Sequence, residues 1–95
     1  MTNREQEAEE LYNKALETRR KLAVQLPEVY RSEVALTLYN LAILYKDTHR
    51  IDEALTAIDE SLKLYTTLNE TTEEDMTENI NDAEYLKALI EEMRQ

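Results

Sequence analysis

Residues 35–62, ALTLYNLAILYKDTHRIDEALTAIDESL, decide how this chain folds. Leu38, Leu41, Ala42 and Tyr45 recur at the three- and four-residue spacing of one helical face, and Ala54, Ile58, Ser61 and Leu62 resume it after Thr48-His49-Arg50. The pattern predicts two antiparallel helices joined by a tight turn. Ala42 and Ala54 are small enough to let the two backbones approach, while Leu38, Leu41, Tyr45 and Ile58 fill the remaining space. A tight helix-to-helix turn needs a residue in the left-handed backbone region, yet the chain has no glycine. His49 is assigned that place, because His shares with Asn and Asp an enrichment at positive φ.

Working outward, the chain before this stretch opens with overlapping capping boxes, Thr2 to Glu5 and Asn3 to Gln6. A first helix is predicted over about 4–25, with Ala8, Leu11, Tyr12, Ala15, Leu16, Leu22 and Ala23 as a broad apolar band. Pro27 ends it, since proline disfavours helix in the residue before it. Glu28 to Arg31 reads as a lead-in, so the second helix is placed at about 30–48 and the third at 51–69, with Asp52 and Glu53 in its first turn. Thr71 to Asp75 reads as a loop and N-cap, Thr72 and Asp75 standing at capping-box spacing, and a fourth helix is predicted over 73–93. The fold class is therefore all-α, four helices in one domain spanning residues 1–95.

Composition agrees with helix and narrows function. Glycine is absent and proline occurs once. The formal charge is −10, and Asn69 to Gln95 carries nine acidic residues against Lys87 and Arg94. Such a field repels phosphate backbones and anionic lipid and draws in basic protein segments, so neither nucleic acid nor a membrane surface is an expected partner. No apolar run of transmembrane length occurs, and the start MTNREQEAEE is too polar for a secretory leader. A cytoplasmic location is the default.

No catalytic constellation is present, so the chain is read as non-enzymatic, with no cofactor and no metal. His49 is the lone histidine, without a cysteine or second histidine for ligand spacing, and a turn role accounts for it. The acidic run Glu70 to Glu78 lacks the glycine and alternating oxygens of a calcium loop, and a solvated helix start accounts for it. The six tyrosines follow helical spacing and are mainly core, with Tyr30 and Tyr39 placed for an interface.

The first and third helices superpose at an offset of 46, pairing Glu7 with Glu53, Ala8 with Ala54, Tyr12 with Ile58, Ala15 with Ser61 and Leu22 with Leu68. With this internal repeat, Leu38-x2-Leu41-Ala42-x2-Tyr45 followed by Ala54-x3-Ile58 resembles the tetratricopeptide signature W-x2-L-G-x2-Y and A-x3-F. Asn40-Leu41-Ala42-x-Leu44-Tyr45, with Arg50, Glu53, Ala54 and the link Leu26-Pro27-Glu28-Val29, is similar to the long-period repeats of the kinesin light-chain type and their bacterial relatives. Leu38 for tryptophan, Ile58 for an aromatic residue and Thr66 for proline depart from the pattern.

The resemblance implies a short right-handed solenoid of stacked antiparallel helix-turn-helix units. A half repeat would span 4–26, a full repeat 31–69, and 73–93 would form a first-helix-like or capping helix. It implies a protein-interaction role within a longer array, with a peptide or partner protein held in a concave groove lined by Leu36, Tyr39, Asn40, Ile43, Lys46 and Asp47. Asn40 is the sharpest of these, because a carboxamide both donates to and accepts from a peptide backbone. Hydrogen bonding to the adjacent helix is the other use open to it. Tyr39 stands where chaperone-binding members carry lysine, so a clamp for a terminal carboxylate is not expected. The alternative is structural, a homo-oligomer pairing through Ala8, Tyr12 and Ala15, a strip the fold would leave exposed on the first helix.

Overall fold

The computed structural model describes residues 2–94, which form four α-helices: α1 (Asn3–Gln25), α2 (Pro27–Asp47), α3 (Ile51–Thr71) and α4 (Thr77–Glu92). Among the described residues there is no strand. The body measures 38 × 27 × 16 Å, a slab in which α1 and α3 pack on α2 and α4 packs mainly on α3.

Each boundary has a local cause. The Thr2 side chain accepts from the Glu5 amide at 3.2 Å while the Glu5 carboxylate accepts from the Thr2 amide at 3.1 Å, so the first of the two predicted boxes forms. The second does not, because Asn3 is already helical. Pro27 opens α2, three residues before the predicted start of about 30. Proline lacks an N–H that the first helical position has no use for, and its fixed φ suits that place. The expected lead-in is therefore the first turn of α2.

At the other end α3 runs on to Thr71, and α4 begins at Thr77 rather than 73. The predicted box between Thr72 and Asp75 is not made. Thr72 instead donates its hydroxyl to the Leu68 carbonyl at 2.7 Å and accepts from the Glu74 amide at 3.2 Å. Asn69 reaches forward to accept from the Met76 amide at 2.9 Å, and Asp75 accepts from the Thr77 amide and hydroxyl. These local bonds hold the connection as a loop, in competition with helix.

The turn between α2 and α3 follows the sequence reading. His49 has φ 59° and is the non-glycine residue of positive φ among those described. The Arg50 amide donates to the Tyr45 carbonyl at 2.8 Å and the His49 amide to the Lys46 carbonyl at 3.1 Å, the two bonds of a Schellman motif. The hydrophobic contact that usually accompanies it is replaced by the Arg50 guanidinium lying 4.5 Å above the Tyr45 ring. Arg50 also donates from Nε to Glu53 at 2.8 Å and pairs with Glu9, tying the N-terminal half of α1 to the turn.

Small residues set the helix spacing. Ala35, Ala42, Ala54, Ser61 and Ala83 are fully buried, and the Ser61 hydroxyl donates to the Ala35 carbonyl across the α2–α3 interface at 2.7 Å. That contact brings a side-chain oxygen of one helix against the backbone of the other. Leu41, Ile58, Leu68 and Ile90 are the largest fully buried apolar side chains, each worth about 1.5–3 kcal/mol of apolar burial.

Candidate binding face

α2 is covered on one side by the core and open on the other. Val34, Ala35, Thr37, Leu38, Leu41 and Ala42 are buried, and Leu36, Tyr39, Asn40 and Ile43 are the less covered positions among them. Leu36 is 49% exposed, Asp47 is exposed, and Tyr39, Asn40, Ile43 and Lys46 are half-buried. All six predicted groove residues thus lie along one helix, with Tyr39 and Ile43 resting against the core cluster.

Their polar groups are engaged to different degrees. Lys46 Nζ pairs with Asp47 Oδ1 at 3.0 Å, which neutralises the one cation in the row. Side-chain hydrogen bonds form at Thr37 and Lys46 of α2 and at its C-cap Thr48, and none found among the described residues involves the carboxamide of Asn40. Burial pushes the Tyr39 hydroxyl above its ordinary value, and the charge of Asp82 adds to the effect. Tyr65 shifts the same way, first by burial, although an interaction with Asn79 of α4 opposes it.

Asn79, Asp82 and Tyr85 did not figure in the sequence reading of the site. The legible signal was helical spacing: Asn79 and Asp82 stand three residues apart, as do Asp82 and Tyr85, and Tyr85 is 69% exposed although its neighbours Ala83 and Leu86 are buried.

The strip Ala8, Tyr12, Ala15 is half-buried, and Tyr12 rests on the core cluster. The freely exposed apolar side chains of α1 are Leu11 and Val24, at 68% and 84%. A cleft of about 390 Å³ lies between α1 and α3, over Leu38 and Leu41 of α2, and is bridged by Arg20 and Glu60 at 2.7 Å. Among the described residues no group of three His, Cys, Asp or Glu is placed to hold a metal ion, and no helix is long and apolar enough to cross a membrane.

Comparison with known families bears on the hairpin whose geometry has just been given. Residues 34–72 match the tetratricopeptide repeat. The matched span takes in α2 from Val34, the His49 turn, all of α3 and its C-cap Thr72, and stops short of α1 and α4. No curated protein and no solved structure matches the chain. Tetratricopeptide repeats are generally protein- or peptide-binding elements without catalytic activity, and the match points to a protein-interaction module.

Proposed function

We propose that the chain is a non-enzymatic interaction module whose open face on α2 holds a peptide or a segment of a partner protein. The observation that carries this reading is Asn40: a half-buried carboxamide on the open side of the matched hairpin, free of side-chain bonds, between the apolar Leu36 and Ile43. A peptide backbone presents alternating donors and acceptors, and an amide can meet one of each irrespective of the peptide's sequence. Lys46 and Asp47 close one end of the row as a pair. Asn40→Ala should weaken a bound peptide by about tenfold or less, the worth of one or two hydrogen bonds. Unchanged affinity by titration calorimetry would remove the site.

Within the repeat family, the long-period kinesin light-chain-like type fits the link at Leu26-Pro27-Glu28-Val29, where Pro27 opens a 21-residue α2. In that reading α1 is the second helix of a preceding half repeat, α2 and α3 are the full repeat, and α4 starts or caps the next.

Self-association is a second reading, favoured by the exposure of Leu11 beside Ala8, Tyr12 and Ala15 on α1. Sedimentation velocity at rising concentration tests it. Because Tyr12 also supports the core, Leu11→Glu is the cleaner variant: it should shift any oligomer to monomer without lowering the melting temperature. A monomeric wild type at all concentrations contradicts this reading.

A further inference from the structure

α1 is seated differently from the helices it packs beside. It is 23 residues long and buries one side chain, Leu16, whereas α2 and α3, at 21 residues each, bury six apiece. Tyr12, Ala15, Leu22 and Ala23 are half-buried, and Leu11 and Val24 stand in solvent. Charge supplies what burial does not. Arg20 donates to both carboxylate oxygens of Glu60 on α3, at 2.8 and 2.7 Å, and Glu9 pairs with Arg50 at the N-cap of α3. Arg19 lies 3.5 Å from Glu33 of α2 and donates to the Thr37 hydroxyl at 3.1 Å. Between α2 and α3, by contrast, no ion pair forms among the described residues, and the side-chain bond that crosses is the neutral one from Ser61 to the Ala35 carbonyl.

The two pairs toward α3 pin α1 at both ends of the cleft. Glu9 to Arg20 spans about 16 Å of helix and Arg50 to Glu60 about 15 Å, at roughly 1.5 Å per residue, so the two pins close together. Between them lies the opening of about 390 Å³, walled by Asn13 and Leu16 of α1 and Thr56 and Ala57 of α3 and floored by Leu38 and Leu41. The side chains of Arg20 and Glu60 are 49% and 43% exposed, so salt screens their attraction, and Arg50 and Glu9 are more sheltered. The apolar burial that joins α2 to α3 has no such sensitivity.

We infer that α1 is a salt-released strap: it lifts from the α2–α3 hairpin as a unit when its ion pairs are screened or broken, while the hairpin stays folded. Local opening starts with the element that buries least, and α1 is that element. Lifting bares Leu38 and Leu41 on the hairpin and Leu16 on α1 itself, all of them covered in the closed state. The pairs Arg20–Glu60 and Glu9–Arg50 therefore govern whether that apolar floor can be reached.

Amide hydrogen exchange of the full chain, followed by NMR in about 0.05 and about 1 M sodium chloride, tests the strap. After correction for intrinsic rates, the amides of Leu16 and Arg20 should exchange at least about tenfold faster than those of Leu41 and Ile58. High salt should speed Leu16 and Arg20 by a further factor of about three to ten and change Leu41 and Ile58 less than about twofold. Glu60→Gln should speed α1 exchange in low salt by roughly two- to fivefold and shrink its response to salt. Reversing the pair, with Arg20→Glu and Glu60→Arg together, should restore the wild-type rate. Lys63→Gln removes an exposed cation of α3 that forms no ion pair among the described residues, and should change nothing. Exchange of α1 in step with Leu41 and Ile58, or α1 rates indifferent to salt, overturns the strap. A reversed pair that leaves α1 as fast as in Glu60→Gln overturns it as well, since the loss then belongs to packing and not to charge.

Discussion

Replacing His49 by glycine should make this protein more stable. His49 holds φ 59° so that the chain can leave α2 through the two Schellman bonds and enter α3 at Ile51. A residue with a Cβ in this region costs about 1–2 kcal/mol, and histidine sits near the lower end because its left-handed population is enriched. Glycine removes that cost but gives the unfolded chain more freedom, which returns about 0.4–1 kcal/mol. The balance is a gain of roughly 0.5 kcal/mol, or about 2–4 °C in melting temperature for a domain of this size. The side chain of His49 is exposed and makes no ion pair or side-chain hydrogen bond among the described residues, so the substitution reads the backbone alone. His49→Val is the opposing control. Its β-branched side chain is poorly suited to the left-handed region and should lower the melting temperature by several degrees, about 1 kcal/mol or more. Thermal unfolding followed by circular dichroism measures both. If glycine leaves the midpoint unchanged or lower while valine is tolerated, the turn does not carry the strain assigned to it.

Four further outcomes follow from the packing and the ion pairs. Ala42→Leu adds three heavy atoms at a fully buried site and should cost about 1–3 kcal/mol by overpacking α2 against its neighbours; a melting temperature equal to wild type would refute that contact. Ser61→Ala deletes the 2.7 Å bond to the Ala35 carbonyl and should cost about 0.5–1.5 kcal/mol in urea unfolding, whereas no loss would mean the bond is replaced by packing. Hydrogen bonds from Arg50 hold the Glu53 carboxyl below its ordinary 4.5, so its contribution is complete above that value and is lost as pH falls through the lower folded value. Acid melting curves should therefore be shallower in Glu53→Gln, and identical curves would contradict the pairing. Tyr39, Tyr45 and Tyr65 are raised above 10.0, chiefly by burial, so their contribution is complete below that value and is lost as pH rises through the higher folded values. Ultraviolet titration should find these tyrosines ionising later than free tyrosine, and a curve that superposes on that of free tyrosine would contradict it.

The central hairpin was readable because its determinants are local. Small residues at Ala42, Ala54 and Ser61 and a histidine at the turn each have a steric reason visible in the letters themselves, and the structure places all four as expected. Pro27 was rightly read as the end of α1, which stops at Gln25, but it also opens α2, since proline is compatible both with ending a helix before it and with opening one at N1. The N-terminus of α4 was misplaced for a related reason. Thr72 and Asp75 suit a capping box by type, but Asn69 claims the Met76 amide from seven residues away, a bond no local pattern announces.

Arg50 acquires its role only through the fold. Its place in the sequence gives no sign that Glu9, 41 residues earlier, will reach it.

The most direct test of the binding face is amide chemical-shift mapping of the labelled chain with a selected peptide. The predicted result is a contiguous set of shifted signals at Leu36, Tyr39, Asn40 and Ile43 of α2, reduced by Asn40→Ala. Shifts confined instead to Leu11 and Val24 on α1, or to the cleft between α1 and α3, would contradict it.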